Sequence, residues 1–296
     1  MTKALAFLRL MRPHQWVKNS FVFMGVVFGH GWDNPTLIAQ VAMLFAAFCL
    51  ASSAVYVMND IADRDADRLH PTKRFRPLAQ GAVGIGAAWV LCIVLALAGV
   101  TLAAAVSLSA LIIVSVYMAV NVAYSAGLKH VPILDVFIIS GGFMLRILAG
   151  TMGIGIPPSK WLLLCGLMLT LFLGFGKRRS ELVALGGNGD ANGAPGQRAS
   201  LDGYSRPLLD LLIAVSVAGA AIGYALYTVD AKTITLHGTD RLILTLPFVL
   251  YGLFRYLQVM YSKGGGGDPA WEVLHDPHLI VAAVGWLGAT AWFLTR

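Results

Sequence analysis

Residues 59–81 read NDIADRDADRLHPTKRFRPLAQG, lodged between two long apolar runs, and this stretch decides how the rest of the chain is read. It holds four of the fifteen Asp and Glu residues and five of the twenty-two Lys and Arg residues. Around it the composition is 57% hydrophobic and only 12% charged, with a mean hydropathy of +0.73, far from soluble globular usage. An integral membrane protein is therefore expected. A segment this rich in charge beside its spans implies a use at the membrane surface.

Working outward, apolar runs long enough to cross about 30 Å of hydrocarbon recur along the whole chain. Nine are expected, near residues 16–32, 36–58, 82–105, 107–126, 132–154, 159–178, 207–228, 240–261 and 278–295. Backbone satisfaction in lipid makes each a helix, so the fold class is all-α and polytopic, a single domain over residues 1–296. The short alternating runs of a β-barrel are missing. Lys3, Arg9 and Arg12 precede the first apolar run without the pattern of a cleavable signal peptide, so that run is expected to remain. Placing the N-terminus inside puts 17 of the 22 Lys and Arg residues on the cytoplasmic side and four opposite, with Arg146 inside a span. That asymmetry predicts a cytoplasmic N-terminus and an external C-terminus. The net charge of +7 and pI near 9.5 thus report topology, and no nucleic-acid partner is expected.

Cys49, Cys92 and Cys165 fall inside expected spans without paired spacing and read as packing residues rather than disulfides or zinc ligands. Gly-rich stretches at 186–198 and 264–267 read as loops, the first a candidate cover over a cytoplasmic site or a plain linker.

If the second span continues as a helix past the membrane surface, a step of about 100° per residue places Asn59, Asp60, Asp63 and Asp67 on one face and Asp65 on the back. Converging carboxylates repel unless a cation sits among them, and hard oxygen donors with room for phosphate oxygens point to Mg2+. His70, Lys73, Arg74 and Arg76 follow directly, as expected where a magnesium diphosphate is also gripped by cations. A solvated acidic helix end laced to Arg64 and Arg68 is the plain alternative.

The pattern Asn59-Asp60-x-x-Asp63-x-x-x-Asp67 resembles the first aspartate-rich signature of the UbiA superfamily of intramembrane prenyltransferases. Members of that superfamily are nine-helix bundles with a central cavity facing the cytoplasm. Arg12 to Asn19 (RPHQWVKN), His70 to Pro77 (HPTKRFRP), Tyr124-Ser125 with Leu128-Lys129-His130, and Phe175 to Glu181 (FGKRRSE) resemble the decaprenyl-phosphate 5-phosphoribosyltransferase branch. The likeness weakens only at 186–198 and in the C-terminal third. Where aromatic prenyltransferases carry a second DxxxD motif, this chain has three cations, Lys177, Arg178 and Arg179, and one carboxylate, Glu181, a set suited to binding phosphate directly rather than through a metal.

The resemblance implies transfer of a phosphoribosyl group from 5-phosphoribosyl 1-diphosphate to a polyprenyl phosphate, with inversion at the anomeric carbon, supplying arabinofuranose donors for a surface glycan. It assigns Asp60, Asp63 and Asp67 to catalysis and, with Asn59, to Mg2+. Lys73, Arg74 and Arg76 are expected on the diphosphate; Lys177 and Arg178, with Glu181 beside them, on the 5-phosphate or lipid phosphate. Lys18, Tyr124 and Lys129 are expected to close the donor site, although interfacial snorkelling explains Lys18, Lys129 and Arg179 equally well. Arg146, deep in the fifth expected span, needs a partner or water there and is expected to face the cavity and hold an anionic substrate; a bond to helix carbonyls is the alternative. Asp135 shares its helix face but is too far along the axis to pair with it. Prenyl transfer to an aromatic acid and a polytopic transporter are the competing functions. Whether copies associate into a homo-oligomer stays open.

Overall fold

The computed structural model describes residues 3–70, 72–184, 199–262 and 275–295. The Gly-rich stretches at 186–198 and 264–267, and the cover expected of the first, lie outside the described residues. Within those described the secondary structure is helical throughout, and eight helical segments are long and apolar enough to cross a membrane. We label the helices α1 (Pro35–Ala62), α2 (Ile85–Val106), α3 (Leu108–Ala126), α4 (Leu134–Ala149), α5 (Lys160–Ala184), α6 (Arg206–Val229), α7 (Leu246–Ser262) and α8 (Pro277–Leu294). They match the last eight expected spans, and the chain is a multi-pass membrane protein.

The first expected span differs. Residues Pro13–Phe23 form a 3-10 helix, followed by only five α-helical residues, Met24–Phe28. Pro13 sits at its start with the preceding Arg12 in the left-handed region (φ 52°), while Gly25 packs so closely on Gly150 that a Cβ would meet its carbonyl oxygen.

Local chemistry accounts for the helix ends. Asn34 accepts from the N–H groups of Thr36 and Leu37, at 3.0 and 3.3 Å, ahead of Pro35. Ser107 caps α3 through Ala110 N–H at 3.0 Å, and its own hydroxyl donates to the Gly153 carbonyl at 2.7 Å.

The chain forms two compact units. The first comprises the described residues within 1–130 and 141–158; α1, α2, α3 and the second half of α4 belong to it. Its cores are built on Leu44, Phe48, Val114 and Tyr117, and on Leu10, Val57, Leu78 and Ala88. Gly99 lets α2 approach α1 until a Cβ would lie 3.0 Å from the Ala47 carbonyl oxygen, the kind of contact that holds helices together in lipid. The second unit takes the described residues within 131–140, 159–192 and 199–296, with a core of Phe172, Phe175, Leu209, Ile213, Tyr256 and Met260. Many remaining apolar side chains of α2, such as Val90, Val94 and Leu97, stay exposed, as a lipid-facing surface requires.

Candidate active site

The acidic segment sits where α1 ends, in the first unit. The helix stops at Asp63, whose φ and ψ of −89° and 2° make a turn, and resumes over Arg64–Leu69. The step is small: Asp63 N–H still donates to Asn59 O at 2.9 Å and Asp67 N–H to Asp63 O at 2.8 Å. The unbroken helix expected from the sequence is therefore corrected by one turn residue. The separation of faces survives, with Asp60 and Asp67 buried and the Asp65 side chain 86% exposed with Arg68 as its ion-pair partner at 3.3 Å.

Each inward carboxylate meets a cation of the chain. Arg12 Nη2 donates to Asp60 Oδ1 at 2.5 Å, and its guanidinium stacks 5.0 Å over the Tyr56 ring. Arg76 Nη1 reaches Asp60 Oδ1 at 3.1 Å and Asp67 Oδ2 at 2.6 Å, one nitrogen joining two carboxylates. Lys129 Nζ pairs with Asp63 Oδ1 at 3.2 Å, and Ser125 donates to Asn59 Oδ1 at 2.5 Å. In this arrangement no group of three or more His, Cys, Asp or Glu side chains among the described residues stands ready to hold a metal. The donor set nevertheless suits Mg2+: three carboxylates and an amide oxygen are hard ligands, and Arg76 Nη1 stands between two of them where a bridging cation belongs.

Of the other expected phosphate ligands, Lys73 and Arg74 are exposed on a short 3-10 turn, with Arg74 over the Phe75 ring at 4.9 Å. His70 Nδ1 accepts from Thr72 and Lys73 N–H at 3.2 and 3.3 Å and so shapes that turn. Lys18 is exposed, and Tyr124 lies half-buried beside Ser125 on α3. Arg12, Ser125 and Tyr56 were not singled out from the sequence as individual site residues. The signals for them were Arg12 before Pro13, and Ser125 within the Tyr124-Ser125 motif.

Arg146 is 6% exposed, and its hydrogen-bond partners among the described residues are neutral. Nε donates to Asn19 Oδ1 at 2.8 Å, Nη1 to Gly142 O at 2.8 Å and Nη2 to Tyr117 OH at 3.0 Å. Phe48, Tyr117 and Phe143 rings lie 4.7–5.5 Å from its guanidinium carbon. The alternative weighed for it, a bond to a helix carbonyl, is thus present, joined by an amide and a phenol that the sequence did not reveal.

In the second unit Arg178, expected to bind phosphate, is itself buried. Its Nε donates to Asp135 Oδ2 at 2.8 Å and its Nη1 to Glu181. Tyr204 OH donates to Asp135 Oδ1 at 2.7 Å and accepts from Ile133 N–H at 2.6 Å, holding Ile133 at φ 68°, an uncommon angle for a β-branched residue. Burial, reinforced by the bond to Asp135, raises the Tyr204 pKa well above its ordinary value, so the hydroxyl stays a donor at neutral pH. Lys177, next to this cluster in sequence, is exposed.

Such an all-helical, multi-pass chain, with paired aspartates and cations at the end of its first long helix, has the makings of an intramembrane transferase. Residues 19–179 match the UbiA prenyltransferase family, and the chain belongs to that family. It is 35% identical to a decaprenyl-phosphate phosphoribosyltransferase of Corynebacterium glutamicum, over 95% of this chain and 84% of that protein. It is 34% identical to the Mycolicibacterium smegmatis protein of the same name, over 95% and 90%. In fold it resembles a UbiA homolog from Archaeoglobus fulgidus bound to GPP and Mg2+, with a TM-score of 0.70 at 19% identity, covering 98% of this chain and 100% of that one.

Proposed function

We propose that the protein transfers a 5-phosphoribosyl group from 5-phosphoribosyl 1-diphosphate to decaprenyl phosphate or a related polyprenyl phosphate, releasing diphosphate. Its near full-length likeness, at 32–35% identity, to proteins named decaprenyl-phosphate phosphoribosyltransferase carries this reading. The cluster ending α1 is consistent with it, because both leaving group and acceptor are phosphates and cations lie beside the carboxylates.

Asn59, Asp60, Asp63 and Asp67 would hold Mg2+, and the fold relative bound to GPP and Mg2+ supports a divalent ion in this family. When bound, the ion supplies positive charge to the departing diphosphate. Arg76, with Lys73, Arg74 and Lys129, holds the diphosphate oxygens and offsets the charge that grows on them as the anomeric C–O bond breaks. Tyr124, next to the Ser125 that donates to Asn59, and Lys18 close the donor site. A phosphate oxygen of the lipid forms the new C–O bond from the opposite face. It is already anionic near neutral pH, so no side chain need remove a proton.

Arg146 holds an anionic substrate through its charge, which its neutral partners leave uncompensated. Lys177 serves the 5-phosphate or lipid phosphate, while Arg178 and Glu181, expected beside it, are committed to each other and, through Arg178, to Asp135. The chain acts as one catalytic domain in the cytoplasmic membrane, with N-terminus and site inside and C-terminus outside, as the Lys and Arg distribution suggests. Pro13–Phe28 completes nine crossings: at about 2.0 Å rise per 3-10 residue and about 1.5 Å per α-helical residue it reaches about 30 Å.

The test is direct. Purified protein in detergent, given labelled 5-phosphoribosyl 1-diphosphate, Mg2+ and decaprenyl phosphate, should yield an organic-soluble labelled lipid and free diphosphate. Label that stays wholly aqueous, while a prenyl diphosphate reacts with 4-hydroxybenzoate, would establish aromatic prenyl transfer instead.

A further inference from the structure

The three inward aspartates of the cluster and the three cations that hold them balance in charge. Arg12 and Arg76 share Asp60, Arg76 continues to Asp67, and Lys129 takes Asp63. A divalent ion entering alone would leave the cluster strongly positive and strip three half-buried cations of their partners. A diphosphate entering alone would find its best cations already engaged. Arrival of both removes the conflict, because the carboxylates turn to the metal and the displaced cations to phosphate oxygens. Arg12 is aimed at Asp60 from a left-handed backbone (φ 52°) just before Pro13, a conformation costly for a non-glycine residue and retained where surrounding contacts hold it.

We propose that Arg12, Arg76 and Lys129 are exchange cations: they neutralise Asp60, Asp67 and Asp63 while the site is unloaded, then move to the leaving diphosphate when metal and donor bind together. Metal and donor are then thermodynamically coupled, each improving the affinity for the other. This rests on the reading above only so far as the donor is a diphosphate bound with a divalent ion; the identity of the sugar does not enter.

Arg76 offers the sharpest test, since one nitrogen spans two carboxylates. Mn2+ binding to the full-length protein in detergent is followed by electron paramagnetic resonance, with and without inorganic diphosphate. Arg76→Gln should bind Mn2+ alone about tenfold more tightly and manganese diphosphate about tenfold more weakly than wild type. Arg76→Lys should fall between. Lys129→Gln should repeat the two opposed shifts at smaller size, which keeps the test open if Arg76→Gln folds poorly.

Opposite signs are the signature. Weakening of both affinities would make Arg76 a structural strut, and tightening of both would make it a competitor of the metal with no hold on phosphate; either overturns the exchange while leaving the metal-diphosphate reading in place. Failure of wild-type protein to bind Mn2+ even with diphosphate, with Asp63→Asn and Asp67→Asn indistinguishable from it, would overturn that reading and the exchange together.

Discussion

Two carboxylate–guanidinium clusters, one in each unit, use the same side chains to different ends. In the second unit Asp135 and Arg178 are 0% and 2% exposed, and Tyr204 and Glu181 occupy further oxygens and N–H groups. That cluster is closed, and its exchange with a ligand would strand a buried charge. In the first unit Arg76 and Arg12 keep 28% and 24% of their side-chain surface, one nitrogen is stretched over two carboxylates, and Asp63 is 42% exposed. Asp60 and Asp67 are buried, but their cations are partly exposed and shared, so these can change partners when a ligand takes their place. On the proposed function, what separates binding machinery from scaffold is how fully the partners are committed, rather than residue type.

Substitutions can break this contrast in order of effect. Asp67→Asn or Asp63→Asn should lower turnover at least about a hundredfold while protein yield, elution and thermal midpoint stay near wild type. A matching fall in stability would place these residues with the closed cluster. Arg178→Met should show the reverse emphasis: about 3–5 kcal/mol of stability lost, read as a lower thermal midpoint and poor recovery from membranes, because Asp135 is left buried without its guanidinium. Were the variant stable but unable to use donor, Arg178 would be a phosphate ligand after all. Asn19→Asp would give Arg146 a counter-ion, leaving stability equal or higher while raising the KM of an anionic substrate about tenfold. Unchanged KM would make Arg146 a purely structural cation. Smallest of all, Asp65→Asn should stay within about twofold of wild type in rate, since its side chain faces solvent with an exposed surface pair.

Legibility from sequence followed the range of the interactions. Eight spans could be read because apolar length is a local property, and the 100° step placed Asp65 opposite Asp67 because helix phase is local too. The turn at Asp63 fell below the resolution of that step. The first expected span, residues 16–32, reads as apolar enough for an ordinary helix, but it begins as a 3-10 helix, and the close approach of Gly25, in the short α-helical turn that follows, to Gly150 involves a residue far along the chain. Partners were the least accessible. Asp135 was weighed against Arg146 on its own helix, while its actual partner is Arg178 on α5 and Arg146 found Asn19 and Tyr117. Periodicity says which face a side chain occupies; packing decides what it meets there.

The most direct measurement is a structure of the protein with Mn2+ and 5-phosphoribosyl 1-diphosphate, the metal located by anomalous scattering. A manganese peak within ligand distance of Asp63 and Asp67, with diphosphate oxygens on the metal and on Arg76, is the expected result. Diphosphate bound elsewhere, with Asp60 and Asp67 still held by Arg76 and no metal beside them, would contradict it.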